Sequence, residues 1–359
     1  MWFVLKRVSR GLVLIAGASA VLLASDMKRS RAGHLPRIAI LQHTSTPALD
    51  DGVRGILDDL AQNGYRDGET AHITTYNAQG EMATANAIAR EITDGRFDLV
   101  ITSSTSSLQA VANANRAGRT PHVFGLVADP WAAGVGLDRA NRLARPRHLV
   151  GYSLILPVGD GCRMAKRMLP TLTRIGVAWN PAEVNSRVLV ELARTACQEL
   201  GITLVEAQVE NPAGVREAIQ SVIGRGAQVV WVGGDTTVAS ALDTVLATAR
   251  QARVPVFSLL PTAPDRGTIF DLGFDYYEAG RMTGELAAQV LKGTDPGTIP
   301  IRDALDLVPR RLFINRKALE GLKEPWRVSA ELLREANAVV DDAGVHWKAG
   351  TDGGTPRKP

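Results

Sequence analysis

The run TSSTSS at residues 102–107 puts six hydroxyls between an apolar strand and the start of a helix. Thr105 and Ser106 sit where first-turn N–H groups and the helix dipole favour an anion, and their hydroxyls add donors. On the bland reading they are helix caps. Other strand-to-helix turns carry similar groups. The first, after ILQ, holds Gln42, His43 and Thr46, and the second holds Asn77 in NAQG. The fourth holds Asp129 in ADP. Later turns supply Asn180, Glu183 and Ser186 in NPAEVNS, Asp235 in GGDTT and Asp275 in GFDYY. Each carboxylate reads either as a turn residue or as a ligand contact. Together they offer donors for a carboxylate and acidic partners for an ammonium, which is the chemistry of a small polar or zwitterionic ligand. Trp131, Trp179, Tyr276 and Tyr277 either cover an apolar or cationic part of that ligand or simply pack.

Other chemistries find little support. A nucleotide-binding turn is glycine-rich so that the backbone closes on phosphate, whereas residues 42–47 carry side chains. There is no nucleophile elbow and no phosphate-binding loop. The six histidines show no metal-ligand spacing, so neither a metal nor a cofactor is expected, and the chain does not read as an enzyme. The net charge of +4 comes from 41 basic and 37 acidic residues spread along the chain, which gives no signal for nucleic acid.

The elements that position these turns follow a strand–helix rhythm. RIAIL, AHITTYN, FDLVITS and HVFGLV read as strands, with amphipathic helices between them. The rhythm restarts with RIGVAWN, ITLVEAQV, AQVVWVGG and VPVFSLL, so one α/β unit appears twice, at 36–150 and 170–260. TTVASALDTVLATARQA reads as one helix. Gly64, Gly95, Gly118, Gly201 and Gly226 fall where helices end. This predicts α/β architecture with parallel sheets and helices on both faces. In such sheets ligands bind beyond the C-terminal ends of the strands, where the polar turns lie.

Before Pro36 the chain carries Lys6, Arg7 and Arg10, then an uncharged, mostly apolar run from Gly11 to Ser25. That is the length of a secretory core, about 7–15 residues, rather than a membrane span of about 20. Export is expected, with residues 1–35 as a signal peptide or an uncleaved anchor. Cys162 and Cys197 read as buried free thiols, although an oxidising compartment allows a disulfide.

The order of ILQ…PALD, NAQG, ADP, NPAEVNS, GGDTTVAS and GFDYYEAGRMTGELAAQVLKG resembles the tryptophan/tyrosine-type substrate-binding proteins of ABC transporters, over about 36–340. The resemblance implies a type I periplasmic binding protein fold of two Rossmann-like lobes, with crossings near 152, 272 and 303. Lobe 1 is then 36–152 plus 272–303, lobe 2 is 153–271 plus 304–340, and 341–359 is a flexible tail. It also implies a periplasmic or other extracytoplasmic, monomeric protein that captures an amino acid or related metabolite for an ABC permease. A membrane-associated sensor is the alternative. Two positions depart from the family's pattern: Thr46 replaces a histidine and Thr236 an asparagine. Both lie in candidate ligand turns.

Overall fold

A computed structural model describes residues 35–305 and 307–349. The expected export segment up to residue 34 lies outside the described residues. The first strand, β1 (Arg37–Gln42), is buried along all but its first residue, as a central parallel strand with helices on both faces must be. It feeds α1 (Pro47–Gln62), capped by Thr46 with proline at its first position. Leu49, Val53, Ile56 and Leu60 form its buried stripe. There follow β2 (His72–Asn77), α2 (Met82–Ile92), β3 (Leu99–Thr102), α3 (Thr105–Ala114), β4 (His122–Val127) and β5 (Leu149–Ser153). With β11 (Arg302–Asp303) these strands form a parallel sheet in the order β11-β5-β4-β3-β1-β2.

The second lobe begins with α4 (Val158–Met168), β6 (Arg174–Trp179), α5 (Val184–Glu199), β7 (Thr203–Gln208), α6 (Val215–Gly224) and β8 (Val229–Val232). The helix expected after β8 is broken at Ala241 into α7 (Thr236–Ser240) and α8 (Leu242–Gln251). Next come β9 (Val256–Ser258), β10 (Phe270–Phe274), α9 (Tyr276–Leu291), β12 (Arg310–Asn315), α10 (Ala330–Glu335), β13 (Ala338–Asp341) and β14 (Gly344–Trp347). The sheet order is β14-β13-β12-β10-β9-β8-β6-β7. The run β7-β6-β8-β9-β10 repeats the parallel pattern of the first lobe, and β12 pairs with β13 in parallel as well. β12 runs antiparallel to β10, and β14 antiparallel to β13, so this sheet is mixed.

The chain passes between the sheets after β5, after β10 and between β11 and β12. Because Phe270–Phe274 pairs within the second sheet, the second passage falls at Asp275, slightly later than the expected 272. A tail beginning at 341 is corrected as well. Val340 pairs with Val345 and Val339 with His346, closing a hairpin, and Phe313 packs edge-on against Trp347.

After the second passage, α9 packs along α1 with the two backbones in contact. A Cβ on Gly280 would lie 2.0 Å from the Gly52 carbonyl oxygen, and one on Gly55 would lie 2.1 Å from that of Tyr277. This close crossing returns the late segment to the first lobe. Among the described residues no helix is long and apolar enough to cross a membrane. Gly280→Ala should lower stability by about 1–3 kcal/mol through overpacking, read as a reduced urea midpoint. Gly214→Ala, where the added methyl meets nothing within 4 Å, serves as the control. An unchanged midpoint for Gly280→Ala would contradict the backbone contact.

Candidate ligand-binding site

In each lobe the strand order reverses beside the first strand of its repeat: β2-β1-β3 in one, β7-β6-β8 in the other. Helices leave such a reversal on opposite faces, so a crevice opens at the strand ends. The two crevices face each other. Thr46 and Ser104–Ser106 come from the first lobe, and Asn185 and Gly234–Thr236 from the second, and they line one cavity with about 40 Å³ of free space. Leu49, Leu126, Leu154, Leu189, Leu260 and Tyr276 supply an apolar wall. That space holds at most a few water molecules. A larger groove of about 600 Å³ lies elsewhere in the second lobe, but Arg250, Arg253 and Lys317, its cations, are solvent-exposed.

On the first-lobe side, the Ser107 N–H donates to Ser104 Oγ at 3.1 Å, making Ser104 the cap of α3. Thr105 and Ser106 are therefore the first two helical residues, both buried and both against the cavity. First-turn N–H groups have no acceptor within their own helix. Thr46 caps α1 at 3.3 Å. Leu126 reaches the wall through an irregularity. The β4–β5 register shifts between Phe124 and Val127, and Leu126 adopts φ 56°, a left-handed conformation uncommon for a residue with a Cβ. Gly52 leaves room for it, since a Cβ there would lie 2.2 Å from Leu126 Cδ1.

The second-lobe side is a buried network. Asp235 Oδ1 accepts from the Val238 N–H at 2.7 Å and caps α7. Its Oδ2 accepts from the Asn180 N–H at 2.6 Å and Ser186 Oγ at 2.5 Å. Glu183 accepts from the N–H groups of Thr236 and Thr237, both at 2.9 Å, and from Thr237 Oγ1 at 2.7 Å. Asn185 Nδ2 bridges Glu183 Oε2 at 3.1 Å and the Gly234 carbonyl at 2.7 Å. Burial, and then the negative charge of Glu183, push the Asp235 carboxyl up to about 7 against those hydrogen bonds. Across the cleft, burial lowers the His43 pKa despite the pull of Glu183, which favours a neutral imidazole.

Of the residues singled out from sequence, Thr46, Thr105, Ser106 and Asp235 line the cavity. Asn180, Glu183 and Ser186 stand behind it and hold α7 in place. The others are spent on local structure. Gln42 Nε2 donates to the Thr44 carbonyl at 2.9 Å and to Asp50 at 2.6 Å. Asn77 is exposed and accepts from the Gln79 N–H at 2.7 Å. Asp129 accepts from the N–H groups of Trp131 and Ala132 and pairs with Arg139. Asp275 caps α9 and binds Arg311 at 2.8 Å. Among the four aromatics, Tyr276 reaches the cavity. Trp131 stacks under Arg139, Trp179 under Arg194 and Tyr277 under Arg54. Asn185 and Leu126 were missed. Asn185 was legible as the neighbour of Ser186 in the same turn, whereas no sequence signal marks the irregularity that turns Leu126 inward.

Two α/β lobes meet at facing strand ends, with a cavity between them. The sequence matches the family of ABC transporter substrate binding proteins over residues 37–340, and the chain belongs to that family. A tyrosine-binding protein of Clostridioides difficile (strain R20291) is 29% identical over 312 residues, 87% of each chain. A crystal structure of a conserved domain protein from Vibrio cholerae is 32% identical, with a TM-score of 0.78 over 85% of this chain and 100% of that one. A Streptococcus pneumoniae ABC domain in complex with L-Trp is 24% identical, with a TM-score of 0.78 over 86% of this chain and all of that one. These neighbours have the type I periplasmic binding protein fold.

Glu183→Ala should strand two part-buried N–H donors of α7 and lower stability by about 1–3 kcal/mol in all, read as a lower urea midpoint. Thr105→Ala should leave that midpoint nearly unchanged. The reverse ranking would contradict the division between supporting and cavity residues.

Proposed function

We propose that the protein captures an amino acid with a large apolar side chain, aromatic by analogy with its relatives, outside the cytoplasm. It then delivers that solute, as a monomer, to an ABC permease. The observation that carries this reading is the cavity's polarity. The α3 N-terminus, with Thr105 and Ser106, lies in one lobe, Asp235 and Asn185 in the other, and a leucine-rich wall between them. The ligand carboxylate goes to the α3 first turn, where dipole and hydroxyls add. Its ammonium goes to Asp235, and its side chain to the apolar wall. Both lobes are needed to bind both ends, so ligand stabilises the closed arrangement.

The basic, apolar leader supports export.

Isothermal titration with L-tyrosine, L-tryptophan, L-phenylalanine and L-leucine tests the ligand class, and binding of none of them would contradict it. Asp235→Asn should weaken binding by roughly a hundredfold or more, as expected when a buried charge loses its partner. The pH dependence has a defined sign. The ammonium binds the ionised carboxylate, whose proton is lost only near pH 7 in the unliganded protein. Affinity should therefore fall as pH drops below about 7, approaching about tenfold per unit. Titrations from about pH 8 to about pH 5.5 should show this slope in the wild type and lose it in Asp235→Asn. A flat wild-type profile would place the ammonium elsewhere.

A further inference from the structure

Cys162 and Cys197 lie 35 positions apart, one in the middle of α4 and the other near the end of α5. The two helices pack together, and both side chains are 1% exposed within one apolar cluster. Both thiols are free here. The two thiols influence each other's acidity: Cys197, with burial, pushes the Cys162 thiol up, and Cys162 lowers Cys197. Two thiols held this way across a helix pair are placed for a covalent link, and neither takes part in the ligand site.

We propose that Cys162 and Cys197 form a disulfide that staples α4 to α5 in the exported protein. The step is a thiol–disulfide exchange. One cysteine thiolate attacks a disulfide oxidant, either a dithiol oxidase or oxidised glutathione, and expels one reduced thiol. The second cysteine thiolate then attacks the mixed disulfide and expels the other. The pair loses two protons and two electrons, and the oxidant's disulfide gains them. Because the folded protein closes both sulfurs to reagents, the bond forms during folding, before the helices pack.

The staple would act where the ligand site needs rigidity. α4 follows the first passage between the lobes directly, and α5 carries Asn185 and Leu189 to the cavity. Joining them fixes the second-lobe wall to the segment about which the lobes move. The location of the oxidant rests on the extracytoplasmic reading above, whereas the pairing rests on the packing of α4 against α5 and the burial of both thiols in one cluster.

The test is refolding of the reduced full chain in a glutathione redox buffer. Denaturation without reductant, maleimide treatment and intact-mass measurement follow. The expected product carries no adduct, weighs two hydrogens less than the reduced chain, and accepts two adducts after prior reduction. Cys162→Ser and Cys197→Ser should each leave one reactive thiol. Two adducts on unreduced wild type, or glutathione retained on either cysteine, would overturn the pairing. The same assay on protein recovered from the native host should find it oxidised. A reduced pair there would overturn the staple in the exported protein, while the titrations above decide the ligand reading separately.

Discussion

β1 and β3 in one lobe, and β6 and β8 in the other, send their helices to opposite faces of their sheets, and everything at the site depends on these two reversals meeting. A single reversal makes a shallow crevice. Two that face each other make a cavity whose walls belong to bodies joined by three strands of chain. The third of those strands exists because α9 returns to α1, and that return depends on glycines at the crossing. Gly52 serves twice, receiving Gly280 on one side and Leu126 on the other. The packing of α9 on α1 thus bears on the shape of the apolar wall.

The second lobe places two carboxylates, Glu183 and Asp235, in one buried network. Such proximity is costly unless the charges are compensated. Glu183 is compensated internally by the N-terminus of α7. Asp235 shares that helix end but remains pushed up to about 7, so the network lacks one positive charge. On the function proposed above, an ammonium supplied from the cleft completes it. The short α7 is therefore better understood as a fitting that orients Asp235 than as a broken piece of α8.

The strand–helix rhythm was legible because most parallel strands here are apolar runs and most of the helices between them have a clear stripe and a terminal glycine. β5 and α4 were harder to read. LVGYS is short, and VGDGCRMAKRM carries two glycines inside a helix. The break at Ala241 was hidden because the apolar pattern continues through it. β14 was missed because four mostly exposed residues, GVHW, form a strand only by pairing with β13. At the site, sequence located the right turns but not the direction of each side chain. Asp129 and Asp275 sit at strand exits just as Asp235 does, yet Arg139 and Arg311 claim them. Nothing local distinguishes the three, because the deciding partners lie 10 and 36 positions away for the two that are claimed.

The central claim is that one amino acid spans both lobes, carboxylate to α3 and ammonium to Asp235. A crystal structure of the protein grown with L-tyrosine tests it most directly. The account predicts ligand density between Thr105 and Asp235, with the carboxylate within hydrogen-bonding distance of the Thr105 or Ser106 N–H groups and the ammonium against Asp235. Ligand density in contact with one lobe alone, or with its carboxylate turned toward the Asp235 network, would contradict it.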